Sequence, residues 1–396
     1  MTERLARHGG VPVRATTLPY CRQTIDDDDV QAVLATLRSD WLTTGPRVEG
    51  FEHAVATLLG VAHAVAVNSG TAALHAAVFA AGIGPGDEVV TSPLTFVASA
   101  NAVLYCGGKP VFADVQGHTL NLDPAAVEAA CTERTRAILH VDYAGQPGDI
   151  DELAAIARRR GLILIEDAAH ALGAEYRGRR IGSAAELTTF SFHPAKAVTT
   201  GEGGMVTTNL PDLAARVRRF RNHGLASDFR ERGDRGDVYS PMVDLGFNYR
   251  LTDFQCALGL SQLGRLEHFL KRRSEIADRY RAAFEPMPGV AVPRVEPHVR
   301  HAWHIFPVLL EVERLSADRR EVLAALRAEG IGATVHYVPA YWHPYYQRLG
   351  YPKGLCPVAE QAFERLVTLP IFPGMTDQDA EDVVNSLRKV LGYYTR

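Results

Sequence analysis

Two residues able to do acid, base or nucleophilic chemistry lie in the middle of the chain, first an acid and then a lysine. Leu162–Ile165 is a four-residue apolar run after a glycine, typical of a buried strand, and Glu166 and Asp167 end it. Open α/β sheets bind ligands at the carboxyl ends of their strands, so we expect Asp167 to face a ligand. Pro194 disfavours helix directly before Lys196, which is therefore predicted to lie on a loop beside a Gly-rich turn.

A phosphate-binding element is predicted earlier in the chain. A strand-like run ends at Asn68-Ser69-Gly70, and an Ala-rich helix begins at Thr71. The free N–H groups and the dipole at a helix start favour a phosphate. Taken alone this pattern is weak evidence, because a serine or threonine before a helix usually serves only as its N-cap.

Together these residues match what pyridoxal phosphate requires of an aminotransferase: a lysine, a carboxylate, an anion cradle and side chains that hold the ring flat. The lysine forms the Schiff base and transfers a proton, and the carboxylate keeps the pyridinium nitrogen protonated. Lys196, Asp167 and the helix start after Ser69 suit three of these roles, and Phe96 and His170 are candidates for the fourth. Each assignment is ambiguous alone, since a single lysine is usually a surface charge and the spacing alone favours packing of Phe96 in the core.

The order of strand and helix patterns predicts the architecture. They alternate at βαβ spacing up to a long helix that Thr252 or Asp253 is expected to cap. This order predicts an α/β fold with a large domain at 18–265 and a smaller α+β domain at 266–396, preceded by a loose arm at 1–17.

Some details of the second half are predicted from local patterns. We expect the long helix to continue through Phe269, and a polar, Gly-containing loop to span 227–237. In the smaller domain, strands are predicted at 303–310 and 334–338. A helix is predicted at 317–329, with Ser316 as its cap.

Composition narrows the class of protein. The formal charge of −4 over 396 residues gives no general basic surface for nucleic acid. No apolar run is long enough to span a membrane, and the first residues have no apolar core of a signal peptide. Five scattered cysteines show no metal-ligand spacing. These features predict a cytoplasmic protein without a metal site.

Several motifs, in their order along the chain, resemble the DegT/DnrJ/EryC1/StrS family of nucleotide-sugar aminotransferases. The motifs are NSGTAAL, EDAAHALG, SFHPAK, TTGEGG and NYRLTD, and the resemblance extends from about Leu18 to the end of the chain. It implies the fold type I of pyridoxal-phosphate aminotransferases, with a mixed, mostly parallel seven-stranded sheet and a smaller C-terminal domain. The run VHYVPAYWHPYY, from Val335 to Tyr346, further resembles the subgroup of pseudaminic acid biosynthesis.

The resemblance also implies a role for each matching residue. The catalytic residues would be Lys196, Asp167 and His170, with pyridoxal 5'-phosphate held covalently on Lys196 and pyridoxamine phosphate as intermediate. His170 would lie beside the cofactor ring, Phe96 would stack on it, and Asn248 would reach the phosphate of the neighbouring subunit in a homodimer with shared active sites. The remaining phosphate-binding residues would be Gly70, Thr71, Ala72 and Ser191. The residues that contact the nucleotide sugar would be Tyr20, Asp40, Trp41, Leu42, Thr43, Thr334, Val335, His336 and Tyr337.

The implied reaction is amino transfer from L-glutamate to a UDP-linked 4-keto-6-deoxy-N-acetylhexosamine. Lys196 argues against the branch of the family whose members carry histidine at that position and act as sugar dehydratases. Two other classes stay open: a regulatory protein that keeps the fold and the cofactor without catalysis, and a Rossmann oxidoreductase. The second is disfavoured because no Gly-x-Gly-x-x-Gly follows a predicted strand.

Overall fold

A computed structural model describes residues 4–227 and 238–395 together with Arg232 and Gly236; the predicted polar loop at 227–237 lies almost wholly outside them. The strands, in chain order, are β1 (His63–Val67), β2 (Glu88–Thr91), β3 (Lys109–Phe112), β4 (Thr135–Val141), β5 (Ile163–Asp167), β6 (Glu175–Tyr176), β7 (Arg179–Arg180), β8 (Leu187–Ser191), β9 (Gly204–Thr208), β10 (Val290–Ala291), β11 (Val299–Arg300), β12 (Phe306–Leu310) and β13 (Leu366–Leu369).

The helices of the described residues alternate with these strands in the first half of the chain and predominate in the second. In chain order they are α1 (Asp27–Leu37), α2 (Pro46–Leu59), α3 (Gly70–Ala80), α4 (Ala98–Tyr105), α5 (Pro124–Ala130), α6 (Ile150–Arg160), α7 (Pro211–Arg221), α8 (Asp253–Leu263), α9 (Leu266–Phe284), α10 (Arg319–Ala328), α11 (Pro344–Arg348), α12 (Pro357–Arg365) and α13 (Asp377–Tyr394). None of them combines the length and the apolar character of a membrane span.

The main sheet has seven strands in the order β1-β9-β8-β5-β4-β2-β3. Only β9 is antiparallel to its neighbours, so the sheet is mixed and mostly parallel, and the predicted fold is confirmed. Successive residues of one strand pack on opposite faces: Leu164 joins a core with α2 and α6, and Ile165 joins a core with α3, α4 and α7. Because β5 is buried on both faces, its sequence is an unbroken apolar run, and this run is the pattern that predicts the strand.

Strand direction brings the predicted site residues to one edge of the sheet. β5 and β8 are parallel neighbours with Asp167 opposite Thr189, so Asp167 and Ser191 end their strands on the same side. Because β9 is antiparallel to both β8 and β1, β1 runs in the same direction as β8. The turn after β1, and with it the start of α3, therefore lies at the same edge as Asp167.

The C-terminal part has its own sheet and core. β10, β12 and β13 form an antiparallel sheet that is covered by α9, α10 and α13. The N-terminal segment joins this core, since Leu5 is fully buried in it. The buried Glu329 accepts hydrogen bonds from the backbone N–H groups of Ala6 and Val13 and pairs with Lys389 at 2.9 Å. The described part of the arm is thus packed rather than loose, while the domain boundaries stay a prediction.

Two predictions about helices are wrong in detail. Thr252 caps α8 through a capping box with Gln255, as expected, but the long helix is interrupted and α9 begins only at Leu266. The helix predicted at 317–329 begins after Asp318, not after Ser316. Asp318 accepts from the N–H of Glu321, whose side chain accepts from the N–H of Asp318, and this reciprocal pair is a stronger cap than a lone serine.

Two predicted strands also differ from the structure. The strand predicted at 303–310 begins only at Phe306, because Trp303 has a positive φ of 50° that no strand continues through. The segment predicted as a strand at 334–338 is not one; it makes a single antiparallel bridge, between Thr334 and Thr368. Its irregular backbone places the hydroxyl of Tyr337 3.0 Å from Nε2 of His170, in the turn after β5.

Candidate active site

Asp167 ends β5 as a buried carboxylate with two hydrogen-bond donors. Its Oδ2 accepts from the Ser99 hydroxyl at 2.7 Å, and its Oδ1 accepts from the N–H of Ala169 at 3.2 Å. Burial raises the pKa of Asp167, while these two hydrogen bonds and the positive charge of Lys196 oppose the rise. A cationic ring nitrogen at this position would therefore offset the free-energy cost of burying the Asp167 carboxylate.

Lys196 lies on the irregular segment between β8 and β9, as predicted. Its Nζ lies 3.4 Å from Nε2 of His304, a partially aligned hydrogen-bond contact. Burial lowers the pKa of Lys196 from 10.5 to about 8, and the nearby Asp167 works against this shift. At pH 7 about a tenth of the amine is therefore uncharged, far more than for a solvent-exposed lysine, and the uncharged form is the one that acts as a nucleophile or base.

His170 is buried in the turn after β5. Its Nε2 lies 3.0 Å from the hydroxyl of Tyr337, and its ring lies 4.2 Å from that of His304. Burial lowers the pKa of His170 well below its usual value, and the charge of Lys196 adds to the effect. The ring is therefore neutral, and a neutral ring can lie against a flat aromatic ligand without adding a second cation.

The predicted phosphate cradle lies at the start of α3. Ser69 caps the helix by accepting from the N–H of Ala72 at 3.0 Å, so that N–H already has a partner. A Cβ on Gly70 would lie 2.8 Å from Cβ and 2.9 Å from Oγ of Ser191, so only glycine lets the serine approach the helix start this closely. Thr71 and Ser191 are both partly exposed at this point.

The ring candidate Phe96 is exposed over 58% of its surface and lies in the loop before α4. Its ring centroid is 6.3 Å from that of Tyr337, and its carbonyl accepts from the backbone N–H of Ser99, whose hydroxyl donates to Asp167. The alternative that Phe96 packs in the core is wrong. An exposed ring tied to the neighbours of Asp167 is well placed to stack on a ligand.

One part of the predicted substrate set lies beside this site. The rings of Tyr20 and His336 are 5.3 Å apart, and the His336 carbonyl accepts from the hydroxyl of Tyr143 at 2.5 Å. Burial raises the pKa of Tyr20 to about 12 and lowers that of His336 to about 4, so both are neutral at pH 7. Val335 is partly buried against the C-terminal core.

The other part of the predicted set lies elsewhere in the chain. The loop Asp40–Thr43 lies against the start of α8, where Thr43 bridges Thr252 and the Leu42 carbonyl accepts from the N–H of Asp253. The exposed Asn248 bridges Asn222 in the same region. Thr43 is one of the residues that line a cavity of about 770 Å³, together with arginines 218, 219, 221, 232 and 250. The Asn248 carbonyl also accepts from the side-chain amide of Asn68 at 3.5 Å, so Asn248 lies next to the turn that leads into the start of α3.

The residues around Lys196 fit pyridoxal phosphate. Three features lie at one edge of the sheet. They are a buried carboxylate with no cationic side chain hydrogen-bonded to it, a half-buried lysine of lowered pKa, and a cradle that a Cβ at position 70 would fill. They correspond to the ring nitrogen, the aldehyde carbon and the phosphate of that cofactor. The fold and this set of residues define the class of pyridoxal-phosphate aminotransferases.

Comparison with known proteins narrows the class further. Residues 23–388 match the DegT/DnrJ/EryC1/StrS aminotransferase family, and the chain belongs to this family of sugar aminotransferases. It is 44% identical over 377 residues to the spore coat polysaccharide biosynthesis protein SpsC of Bacillus subtilis, covering 94% of this chain and 97% of SpsC.

Two solved structures resemble this chain over almost its full length. Helicobacter pylori PseC, an aminotransferase involved in the biosynthesis of pseudoaminic acid, superposes with a TM-score of 0.88 at 32% identity, covering 95% of this chain and 99% of PseC. The putative sugar aminotransferase Spr1654 of Streptococcus pneumoniae is known in a PLP form and a PMP form, at 29% identity and TM-scores of 0.87 and 0.88, covering 94% of this chain and 98% of Spr1654.

Sequence reasoning missed two residues of the site. Ser99 lies on α4 and donates to Asp167, and His304 lies before β12 and contacts Lys196. Neither stands out by spacing, because each is brought to the site by an element far along the chain. The one available signal was a polar residue, His304, near the start of the strand predicted at 303–310.

Proposed function

We propose that this protein transfers the amino group of L-glutamate to C4 of a UDP-linked 4-keto-6-deoxy-N-acetylhexosamine in the cytoplasm. The product would be UDP-4-amino-4,6-dideoxy-N-acetyl-β-L-altrosamine, for pseudaminic acid or a related surface glycan. The observation that carries amino transfer is the lysine of lowered pKa beside a buried carboxylate and a glycine-made phosphate cradle. The choice of sugar is supported by the near-complete coverage shared with PseC and by the run Val335–Tyr346.

The side chains can perform the protein's share of this reaction. When bound, pyridoxal phosphate supplies the electron sink that stabilises a carbanion next to nitrogen. The amine of Lys196, uncharged in part at pH 7, takes a proton from the reacting carbon of the donor and returns one to the acceptor. Asp167 holds a negative charge that its two donors keep in place, and His170 and Phe96 offer neutral rings that hold a flat group.

A second copy of the chain is part of the proposal. Several large apolar side chains around Asn248 are exposed, among them Met242 at 64%, Leu245 at 78% and Phe247 at 40%. A patch of this kind on one chain is typical of an interface. Pairing of two chains through this surface would bring Asn248 and the Asp40–Thr43 loop to the Lys196 site of the partner. The two groups of predicted residues would then form one site.

The test is a panel of nucleotide ketosugars. Purified protein loaded with pyridoxal phosphate is given L-glutamate and UDP-, dTDP- and GDP-linked 4-keto or 3-keto hexoses, and the amino sugars are identified by NMR. We expect the UDP-linked 4-keto-6-deoxy-N-acetylhexosamine to react with the highest kcat/KM. Preference for a dTDP or GDP sugar, or for C3, would overturn the sugar assignment; no product from any sugar would indicate the regulatory alternative.

A further inference from the structure

We propose that His304 is a positioning residue that holds the amine of Lys196 whenever this nitrogen is not bonded to the cofactor. The inference rests on the proposed role of Lys196 and extends it to a histidine from the C-terminal part of the chain. During amino transfer the lysine must leave the carbon it is bonded to and later return to it. A fixed partner for the free amine keeps it within reach.

The contact itself is the first observation. Nζ of Lys196 lies 3.4 Å from Nε2 of His304, and this is the hydrogen-bond contact of that amine within the described part of the chain. His304 is 6% exposed, and its Nδ1 has no partner among the described residues. Lys196 is therefore the side-chain hydrogen-bond partner of this imidazole.

The backbone fixes His304 from both sides. Its N–H donates to the carbonyl of Ala144 at 3.0 Å, and its own carbonyl accepts from Nη1 of the buried Arg273 at 3.1 Å. The same Nη1 also donates to the carbonyls of Trp303 and Ile371, so one guanidinium anchors three backbone positions. The backbone of His304 is therefore held in place beside Lys196.

Gly145 allows the two histidines to meet at the lysine. It has a φ of 97°, and a Cβ there would lie 2.7 Å from the carbonyl oxygen of His170 and 3.1 Å from the backbone nitrogen of His304. Glycine therefore lets the loop after β4 press against both residues. Their rings lie 4.2 Å apart as a result.

Given the charges around Lys196, a neutral hydrogen-bond acceptor is the suitable partner for its amine. The groups that influence the amine are Asp167 on β5, Arg273 on α9 and Cys21 before α1. The amine in turn acts on the three histidines 170, 304 and 336. Burial, then the charge of Lys196, lowers the pKa of His304 well below its usual value, so the imidazole is neutral and its Nε2 lone pair can accept from Nζ.

Loss of this acceptor has a defined effect on the lysine. A hydrogen bond accepted from the ammonium form favours that form, so removing it lowers the pKa of Lys196. In the apo protein, labelling of Lys196 by an amine-acetylating reagent against pH, read by peptide mass spectrometry, measures this value directly. It needs neither cofactor nor sugar, so its outcome is independent of the proposed substrate.

The experiment compares four apo proteins. We expect a midpoint near pH 8 for wild type and a midpoint about one unit lower for His304→Leu. The midpoint should return to near 8 for His304→Gln, whose amide oxygen can accept. His301→Gln is the matched control, because His301 is a partly buried histidine three residues away that stacks on Trp303 instead, and it should keep the wild-type midpoint.

Two results would overturn the proposal. One is a His304→Leu midpoint equal to that of wild type, and the other is an equal shift in the His301→Gln control. If the leucine variant does not fold, His304→Asn takes its place, since the shorter amide does not reach Nζ and should give the lowered midpoint. With cofactor and substrates, the glutamine variant should retain most of kcat, while the asparagine or leucine variant loses kcat with little change in KM.

Discussion

Burial of Lys196 determines both its chemistry and its cost to stability. The same desolvation that brings its pKa to about 8 opposes folding, because a charge must leave water. Natural sequences tolerate such a cost at functional sites, where the perturbed group is needed. The lysine therefore gives a prediction that does not depend on any substrate.

Lys196→Met should stabilise the apo protein at pH 7 by up to about 3 kcal/mol. Below pH 8 the amine is charged in both the folded and the unfolded state, and the full cost of burying it is present. Between pH 8 and 10.5 the amine loses its proton in the folded state before it does so in the unfolded state. The free-energy cost of burying the charge therefore falls to zero, and the stabilisation by methionine falls with it. Urea unfolding at pH 7 and pH 10 checks this. Lys271→Met, at an exposed position of α9, is the control, and an equal gain in both variants would contradict the account.

Asp167→Asn should lower kcat by about 10²–10³-fold, because a neutral amide cannot replace the charge opposite a ring nitrogen. Ser99→Ala removes one donor to the carboxylate and keeps the charge, so the loss should be about tenfold. Steady-state kinetics with the preferred sugar separates the two. Equal losses would mean that Asp167 serves the structure rather than the cofactor.

At the scale of elements, the start of α3 depends on the absence of a side chain. Gly70→Ala places a Cβ 2.8 Å from Cβ of Ser191, so either the helix start or the end of β8 must shift. We expect the Kd for pyridoxal phosphate to rise at least tenfold, on the order of the loss of one hydrogen bond to a charged group, while the fold is retained.

The control for this variant is Gly392→Ala. Gly392 lies within α13, and nothing lies within 4 Å of an added Cβ. Alanine there should leave the cofactor Kd unchanged and slightly stabilise the helix. Absorbance titration of the apo proteins measures both values. An unchanged Kd for Gly70→Ala would show that the phosphate lies elsewhere.

Elements with strong local patterns could be predicted from the sequence, and irregular ones could not. The apolar run before Asp167 predicted β5 because burial on both faces leaves no polar position. The alternating residues around His336 predict a strand, but the segment forms only one bridge, between Thr334 and Thr368. Tertiary contacts, such as the hydrogen bond from Tyr143 to the His336 carbonyl, decide its path.

At the scale of the whole molecule, the site draws on residues from distant parts of the chain. The sequence indicated Lys196, Asp167 and the helix start, because each follows a recognisable strand. His304 could not be found this way, since only the packing of the C-terminal part on the loop after β4 brings it to the lysine.

Subunit complementation tests the shared site. Lys196→Ala and Asn248→Ala homodimers should each be nearly inactive. After mixing and exchange of subunits, each mixed dimer has one site with both wild-type residues, so activity should return to roughly a quarter of the wild-type value. Sedimentation confirms that the chains are dimers. No recovery in exchanged dimers would contradict a site shared in this way.

The central claim is that the chemistry of this protein takes place at Lys196. Protein loaded with pyridoxal phosphate is reduced with borohydride, and the modified peptide is identified by mass spectrometry. The account predicts that the cofactor mass is found on the peptide that contains Lys196 and disappears in Lys196→Ala. Attachment to one of the other lysines, at positions 109, 271, 353 or 389, or no attachment at all, would contradict it.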